Sequence, residues 1–287
     1  MKSKVIIATM LSLTLLGAGV GSSCGGGGGG GMVDLVKMVP KESTAFVFWD
    51  VEALGADVYT VWKEWKDEEA DWLSDLGGIG AGDVEFFAKA ATPGLGNVTI
   101  VTGDFILGDI EQNLKDTGYD GDSYLGVPRL TKTEGTEEIA VALYKGSAVV
   151  GGKELVEKCI DVYKGKEGSY SLYKDPSIKE IVDRLPGGLM AGIEKNVDLY
   201  DDLAALGMSV EKKDEKTLKV KAVYKFDVPG AAKDEDTLAN IKDDLTTIDL
   251  TVMKGECFEP EAETKGEFVE GTTSMYIDDF SYFDLAP

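Results

Sequence analysis

The chain has 287 residues, 43% of them apolar, which is enough for one large or two small packed cores and excludes disorder throughout. Acids outnumber bases 52 to 29 for a net charge of -23, so phosphate backbones and anionic lipid headgroups are repelled over roughly 8 to 10 Å and nucleic acid is not an expected partner. Histidine is absent, which removes Ser-His-Asp and Cys-His catalysis, histidine zinc sites and the commonest general base near neutral pH.

Residues 1 to 24 read MKSKVIIATMLSLTLLGAGVGSSC. Lys2 and Lys4 form a basic start, Val5 to Leu16 an apolar run, and small residues lead into Cys24, the order of an export signal. The apolar run is short for a spanning helix, which needs about 20 residues. The stretch resembles the signal peptide of bacterial lipoproteins, in which the cysteine after the cleavage site is diacylated and becomes the new N-terminus. Ser22 and Ser23 suit the small positions before Cys24, while Gly21 stands where that pattern usually has leucine. The resemblance implies a signal peptide over 1–23, a lipid on Cys24, and attachment to the outer face of a bacterial membrane. Cleavage by an ordinary signal peptidase and a retained apolar anchor are the rival readings. Gly25 to Gly31 then read, with Cys24, as a soft tether over 24–31, about 15 Å long for seven residues. Without Lys2 and Lys4 the mature part carries 27 bases against 52 acids.

The body is expected over 32–287. Ala45 to Trp49 form an apolar run that predicts a strand covered on both faces. Val58, Trp62, Trp65, Trp72 and Leu76 recur at helical spacing opposite a charged side, and GGIGAG at 77–82 ends that helix. NVTIVTGDF predicts a strand, followed by a helix capped by Asp109 that carries Ile110 and Leu114 and ends at Gly118. EIAVALYKGSAVVGG predicts two strands around Lys145-Gly146, then KELVEKCIDVYKG a helix with Leu155, Val156, Cys159, Ile160 and Tyr163 on one side. Asp175 and Pro176 cap PSIKEIVDRL, GGLMAGIE reads as a strand and VDLYDDLAALG as a helix. TLKVKAVYKFD alternates, with Leu218, Val220, Ala222, Tyr224 and Phe226 inward and Lys219, Lys221 and Lys225 on a wet face. DTLANIKDDL is a short helix, and IDLTVMKG and TTSMYIDDFSYFDL supply closing strands.

The expected fold is α+β, a mixed or mostly antiparallel sheet packed against amphipathic helices. The halves 32–168 and 169–287 rhyme weakly. STAFVFWD with a helix, then NVTIVTGDF with DIEQNLKDTG, matches in order GGLMAGIE with a helix, then LKVKAVYKFD with DTLANIKDDL. Duplication and convergence on a common α+β grammar both explain this. MVPKESTAFVFWDVEAL, TGDFILGDIEQNLKDTGYDGDSYLGVP and SLYKDPSIKEIVDRLPGGLMAGI resemble uncharacterised exported bacterial proteins of the domain of unknown function 3352. That resemblance implies a secreted or lipid-anchored α+β protein and brings no catalytic residue.

Candidate chemistry is sparse. SAVVGGKE at 147–154 departs from a phosphate loop, with Ser147 at its first glycine and Glu154 at its magnesium-holding hydroxyl, and GGIGAG follows a helix where a dinucleotide turn follows a strand. Asp120, Asp122, Glu134, Glu137 and Glu138 could offer oxygens to calcium but lack the EF-hand frame. Asp50, at a strand end, fits a helix cap or a site carboxylate. The three tryptophans read as core, with an exposed partner face as the alternative. Cys159 and Cys257 are eligible for a disulfide in an exported protein, while the apolar setting of Cys159 fits a buried thiol. No catalytic, cofactor-binding or metal residue is assigned. The expectation is a lipid-anchored protein that binds or scaffolds an envelope protein or glycan, and the alternative is a carboxylate-dependent hydrolase acting on glycans or other envelope substrates. A solute carrier would need two comparable lobes around a deep cleft.

Overall fold

A computed structural model describes residues 30–54, 76, 79, 83–214, 217–246 and 255–277. In chain order the elements are α1 (Gly30–Val36), β1 (Ala45–Asp50), α2 (Val51–Leu54), β2 (Val84–Thr92), β3 (Gly96–Gly103), α3 (Leu107–Asp116), β4 (Asp120–Tyr124), β5 (Val127–Glu134), β6 (Glu137–Tyr144), β7 (Ser147–Gly152) and α4 (Lys153–Lys164). There follow α5 (Pro176–Val182), β8 (Met190–Lys195), β9 (Leu203–Lys212), β10 (Thr217–Phe226), α6 (Glu235–Thr246), β11 (Gly255–Lys265) and β12 (Phe268–Ile277). The strands form one sheet in the order β11-β12-β10-β9-β8-β1-β2-β3-β7-β6-β5-β4, with every neighbouring pair antiparallel. The α+β class and the helix-covered antiparallel sheet are those expected.

The near-continuous apolar run of β1 is explained by its place at the centre of the sheet, between β2 and β8. Period-two alternation sends Phe46 and Phe48 into one core and Val47 and Trp49 into the other. The Phe46 core is covered by α1, α4 and α5, through Met32, Leu35 and Val36, through Leu155, Val156, Cys159 and Ile160, and through Ile178, Ile181 and Val182. The opposite core takes Ile110 and Leu114 of α3 and Ile241 and Leu245 of α6. Each helix buries one stripe at spacings of three and four, which is why their positions were legible in the sequence.

The two halves repeat one order of elements. A helix leads into β1 in the first half and into β8 in the second, each passing through a similar exit: Leu35-Val36 then Val39-Pro40, against Ile181-Val182 then Leu185-Pro186. Two further strands, a helix on the opposite face and a closing hairpin follow in both, β2-β3-α3-β6-β7 against β9-β10-α6-β11-β12. The sheet continues across the halves through the β1 to β8 pairing. The inserted β4-β5 hairpin has no counterpart among the described residues of the second half.

Four local expectations are corrected. VDLYDDLAALG is a turn and then β9, not a helix, because its Leu and Ala residues pair with β8 on one side and β10 on the other and tertiary pairing overrides helix propensity. The second face of β10 is not wet throughout: Val223 is fully buried and Lys225 is 8% exposed, since α5 lies over it. Lys221 reaches the Arg184 carbonyl at 2.7 Å, and Lys225 pairs with Glu180 and, at 2.8 Å, with Glu267. Asp109 sits in the first turn of α3, whose cap position is Ile106 with no side-chain bond. The body also begins before Met32, since Gly30 and Gly31 belong to α1. The expected tryptophan helix from Val58 to Trp72, IDLTVMKG up to Lys254 and the tail after Ile277 lie outside the described residues.

Gly207 of β9 faces α5 so closely that an added Cβ would stand 2.2 Å from Cγ2 of Ile181 and 3.0 Å from Cδ1 of Leu185. Gly207→Ala is therefore expected to cost about 1 to 3 kcal/mol by overpacking, read as a lower denaturant midpoint at unchanged slope. At the sheet edges, β4 is short and acidic, and β11 carries Glu259, Pro260, Glu261 and Glu263 with a break in register. Both edges are thus poor templates for another strand.

Candidate functional site

Asp50 ends β1 and accepts the Ala53 backbone N–H at 2.8 Å, so it caps α2 as its position suggested. Burial raises its pKa, the Ala53 bond partly offsets that, and the charge of Glu52 adds to it. Burial also raises the pKa of Glu194, whose Oε2 has no hydrogen-bond partner. Glu194 lies opposite Ala45 across the β8 to β1 ladder, five positions along β1 from Asp50 or about 16 Å, and on the other face by alternation. Paired glycosidase carboxylates stand about 5 to 9.5 Å apart. These two carboxyls are not such a pair.

The five acids considered for calcium are held elsewhere or stand apart. Arg129 holds Asp122 in a two-pronged pair that keeps the Asp122 carboxyl below its ordinary pKa, Lys153 meets Glu138 at 2.7 Å and Lys132 meets Glu134 at 3.2 Å. Asp120 and Glu137 are exposed at strand starts. Among the described residues no group of three or more acidic or cysteine side chains is arranged to hold a metal ion. SAVVGGKE is β7 running straight into α4 at Lys153, with no loop to cradle a phosphate. Of GGIGAG only Ile79 is described, half-buried against the core that takes Val47.

Cys159 and Cys257 are thiols, and the bond considered between them is not formed. Cys159 of α4 is wholly buried against the sheet, whereas Cys257 of β11 packs against the core on the other side. A twelve-stranded sheet separates them, and a disulfide needs Cα atoms within about 7 Å. Burial pushes the Cys159 thiol up to about 12. Alkylation of the native protein should therefore leave Cys159 unmodified, while denaturant without reductant should make both Cys159 and Cys257 reactive, read by peptide mass.

Two charge clusters that sequence reading missed tie helices to the sheet. Arg129 of β5 bridges Asp122 of β4 and Glu157 of α4, while Asp161 of α4 takes the Tyr124 hydroxyl at 3.1 Å and Lys166 at 2.7 Å. In the second half, Glu270 of β12 gathers Arg184 at 2.8 Å, Lys265 at 3.0 Å and Lys221 at 3.3 Å. Arg184 and Lys225 flank the Phe268 ring at 3.8 and 4.8 Å from its centre. Each cluster is closed by a pair far apart in the chain, Arg129 with Glu157 and Arg184 with Glu270, which no local spacing announced. A shallow hollow of about 470 Å³ lies by α3, lined by Asp83, Asp104, Asp109, Phe105 and Ile106, the last 70% exposed.

Cys24, Trp62, Trp65 and Trp72 lie outside the described residues. Of the glycine run, Gly30 and Gly31 are described. A Cβ on Gly31 would stand 2.7 Å from Cζ of Phe86, so this glycine of α1 packs against β2.

An uncharacterized protein of Methanocaldococcus jannaschii is 25% identical to the chain over 238 residues, covering 81% of this chain and 79% of that protein. No family model and no solved structure matches the chain.

Proposed function

We propose that the chain is an exported protein held at the outer face of a cell membrane by a lipid on Cys24, and that its sheet body binds or scaffolds another envelope component. One observation carries this reading. The basic, apolar and small-residue order closes on Cys24, and six residues later Gly30 opens a helix whose Met32, Leu35 and Val36 are buried in the core. A lipid on that cysteine would hold the body close to the bilayer, and diacylation supplies the two chains that firm attachment requires. Among the described residues no helix is long and apolar enough to cross a membrane. The blunted edges β4 and β11 favour recognition through a face of the sheet over addition of a strand.

The N-terminal peptide of protein recovered from membranes tests the attachment. A mass that places Cys24 first and adds a diacylglyceryl group is expected. An unmodified Cys24 within a longer N-terminal peptide overturns it.

A further inference from the structure

The helices on the two faces of the sheet differ in charge. On the face that carries α1, α4 and α5, residues 30–42 and 153–184 hold nine basic and nine acidic side chains. On the other face, residues 104–118 and 231–246 around α3 and α6 hold three basic and nine acidic ones. Among the described residues, the excess negative charge of the protein is thus absent from the helical layer that begins at Gly30. Lysines there also sit by tyrosines: Lys37 and Lys179 each lie 5.4 Å from the centre of the Tyr173 ring, Lys164 lies 5.3 Å from that of Tyr163, and Tyr170 is 59% exposed. The acids of the layer near α1 are Asp34, Glu42, Asp175, Glu180 and Asp183, of which Asp34 pairs with Lys37 and Asp183 with Lys179.

Tether length decides which surface can reach a bilayer. From Cys24 to Gly30 the chain spans at most about 20 Å however it is arranged. Twelve strands at about 4.8 Å spacing make the sheet about 53 Å wide. The first helix packs on β1 and β2, the sixth and seventh strands of the twelve. The anchor lies midway across the sheet but near the strand ends, since Phe86 beside Gly31 pairs with Asp50 at the end of β1, and the outer surface of the α3 and α6 layer lies beyond the sheet and a further helix about 10 Å thick, farther from Gly30 than such a tether reaches.

We propose that the face formed by α1, α4 and α5 lies against the headgroup surface of the membrane, with Lys37, Lys41, Lys174, Lys179 and Tyr170 at the contact. A layer without net charge approaches anionic headgroups without the repulsion the opposite face would meet, and lysine and tyrosine place their stems or rings at the boundary and their polar ends among the headgroups. This inference rests on the lipid at Cys24.

Its test uses the full lipidated protein on vesicles of phosphatidylcholine with about one-third phosphatidylglycerol. Acetylation of lysines is compared by mass spectrometry between vesicle-bound and detergent-held protein. Modification of Lys37, Lys41, Lys174 and Lys179 should fall several-fold on vesicles, with Lys115 and Lys242 on the opposite face unchanged. The triple variant Lys37→Glu, Lys41→Glu, Lys174→Glu should stay on the vesicles and lose the protection of Lys179. Protein that remains bound with equal modification on both faces overturns the orientation and leaves the anchor standing. Protein that lacks acyl chains and does not bind overturns both.

Discussion

Glu270→Gln is expected to destabilise the folded body by about 2 to 3 kcal/mol. The carboxylate of Glu270 is 9% exposed and answers Arg184, Lys221 and Lys265 together. Burial alone would raise its pKa, but hydrogen bonds from Lys265 and Arg184 and the charge of Lys221 outweigh burial and bring it down to about 2 from an ordinary 4.5. Removing one charge from a buried pair costs about 3 to 5 kcal/mol because its partner is stranded. Here the cations are partly open to water, the Arg184 and Lys265 side chains being 34% and 43% exposed, so the cost falls to the low end of that range or just below it. The pH dependence has a defined sign. A carboxyl whose pKa is lowered by folding contributes stability above its unfolded value and loses that contribution as pH falls through the folded one. The gap between wild type and variant in denaturant midpoints should thus be full at pH 7 and close between about pH 4.5 and pH 2. A gap that persists undiminished at pH 2 would assign the cost to packing and not to charge.

That cluster also shows what local sequence conveys and what it does not. The helices α4, α5 and α6 were legible because each repeats apolar residues at three and four on an otherwise charged segment, as in Leu155, Val156, Cys159 and Ile160. The hairpin at Lys145-Gly146 was legible because two apolar strands flank a pair of residues that both take positive φ. An equivalent turn at Leu125-Gly126 passed unread, since its strands DGDSY and VPRLTKTE are polar and lie at the sheet edge, where burial imposes no clean alternation. GECFEPEAETK was missed for the same reason. The hydrophobic Leu203 to Leu206 stretch fits a helix as well as a strand, and only its neighbours β8 and β10 decide between them.

The candidate residues divide along the same line. Asp50 as a cap followed from its place between an apolar strand and VEAL, and the structure keeps that role. The Cys159 to Cys257 bond did not follow, because sequence fixes eligibility by compartment while geometry fixes it by face, and the faces are opposite. Neither the matching helix exits at Val39-Pro40 and Leu185-Pro186 nor the charge contrast between the helical layers was evident until the helices had been assigned to sides of the sheet.

Cys24→Ala is expected to abolish stable membrane attachment of the processed protein. The variant retains Lys2, Lys4 and the apolar run, so export itself should proceed, but the thiol proposed to accept the lipid is gone. Each buried methylene contributes about 0.8 kcal/mol, so that two long chains hold firmly where one chain binds reversibly. Lysine contacts on the face around α1 cannot replace this, at about 1 kcal/mol per charge near an anionic surface and with acids interspersed. Without the cysteine, the protein should either remain as a precursor with its signal uncleaved or, if another peptidase cuts nearby, appear in the soluble fraction. Fractionation after a high-salt wash, with the N-terminal mass of each fraction, separates these outcomes. A Cys24→Ala protein cleaved as in the wild type and still wholly in the membrane fraction would show that something other than a lipid on this residue holds the body there.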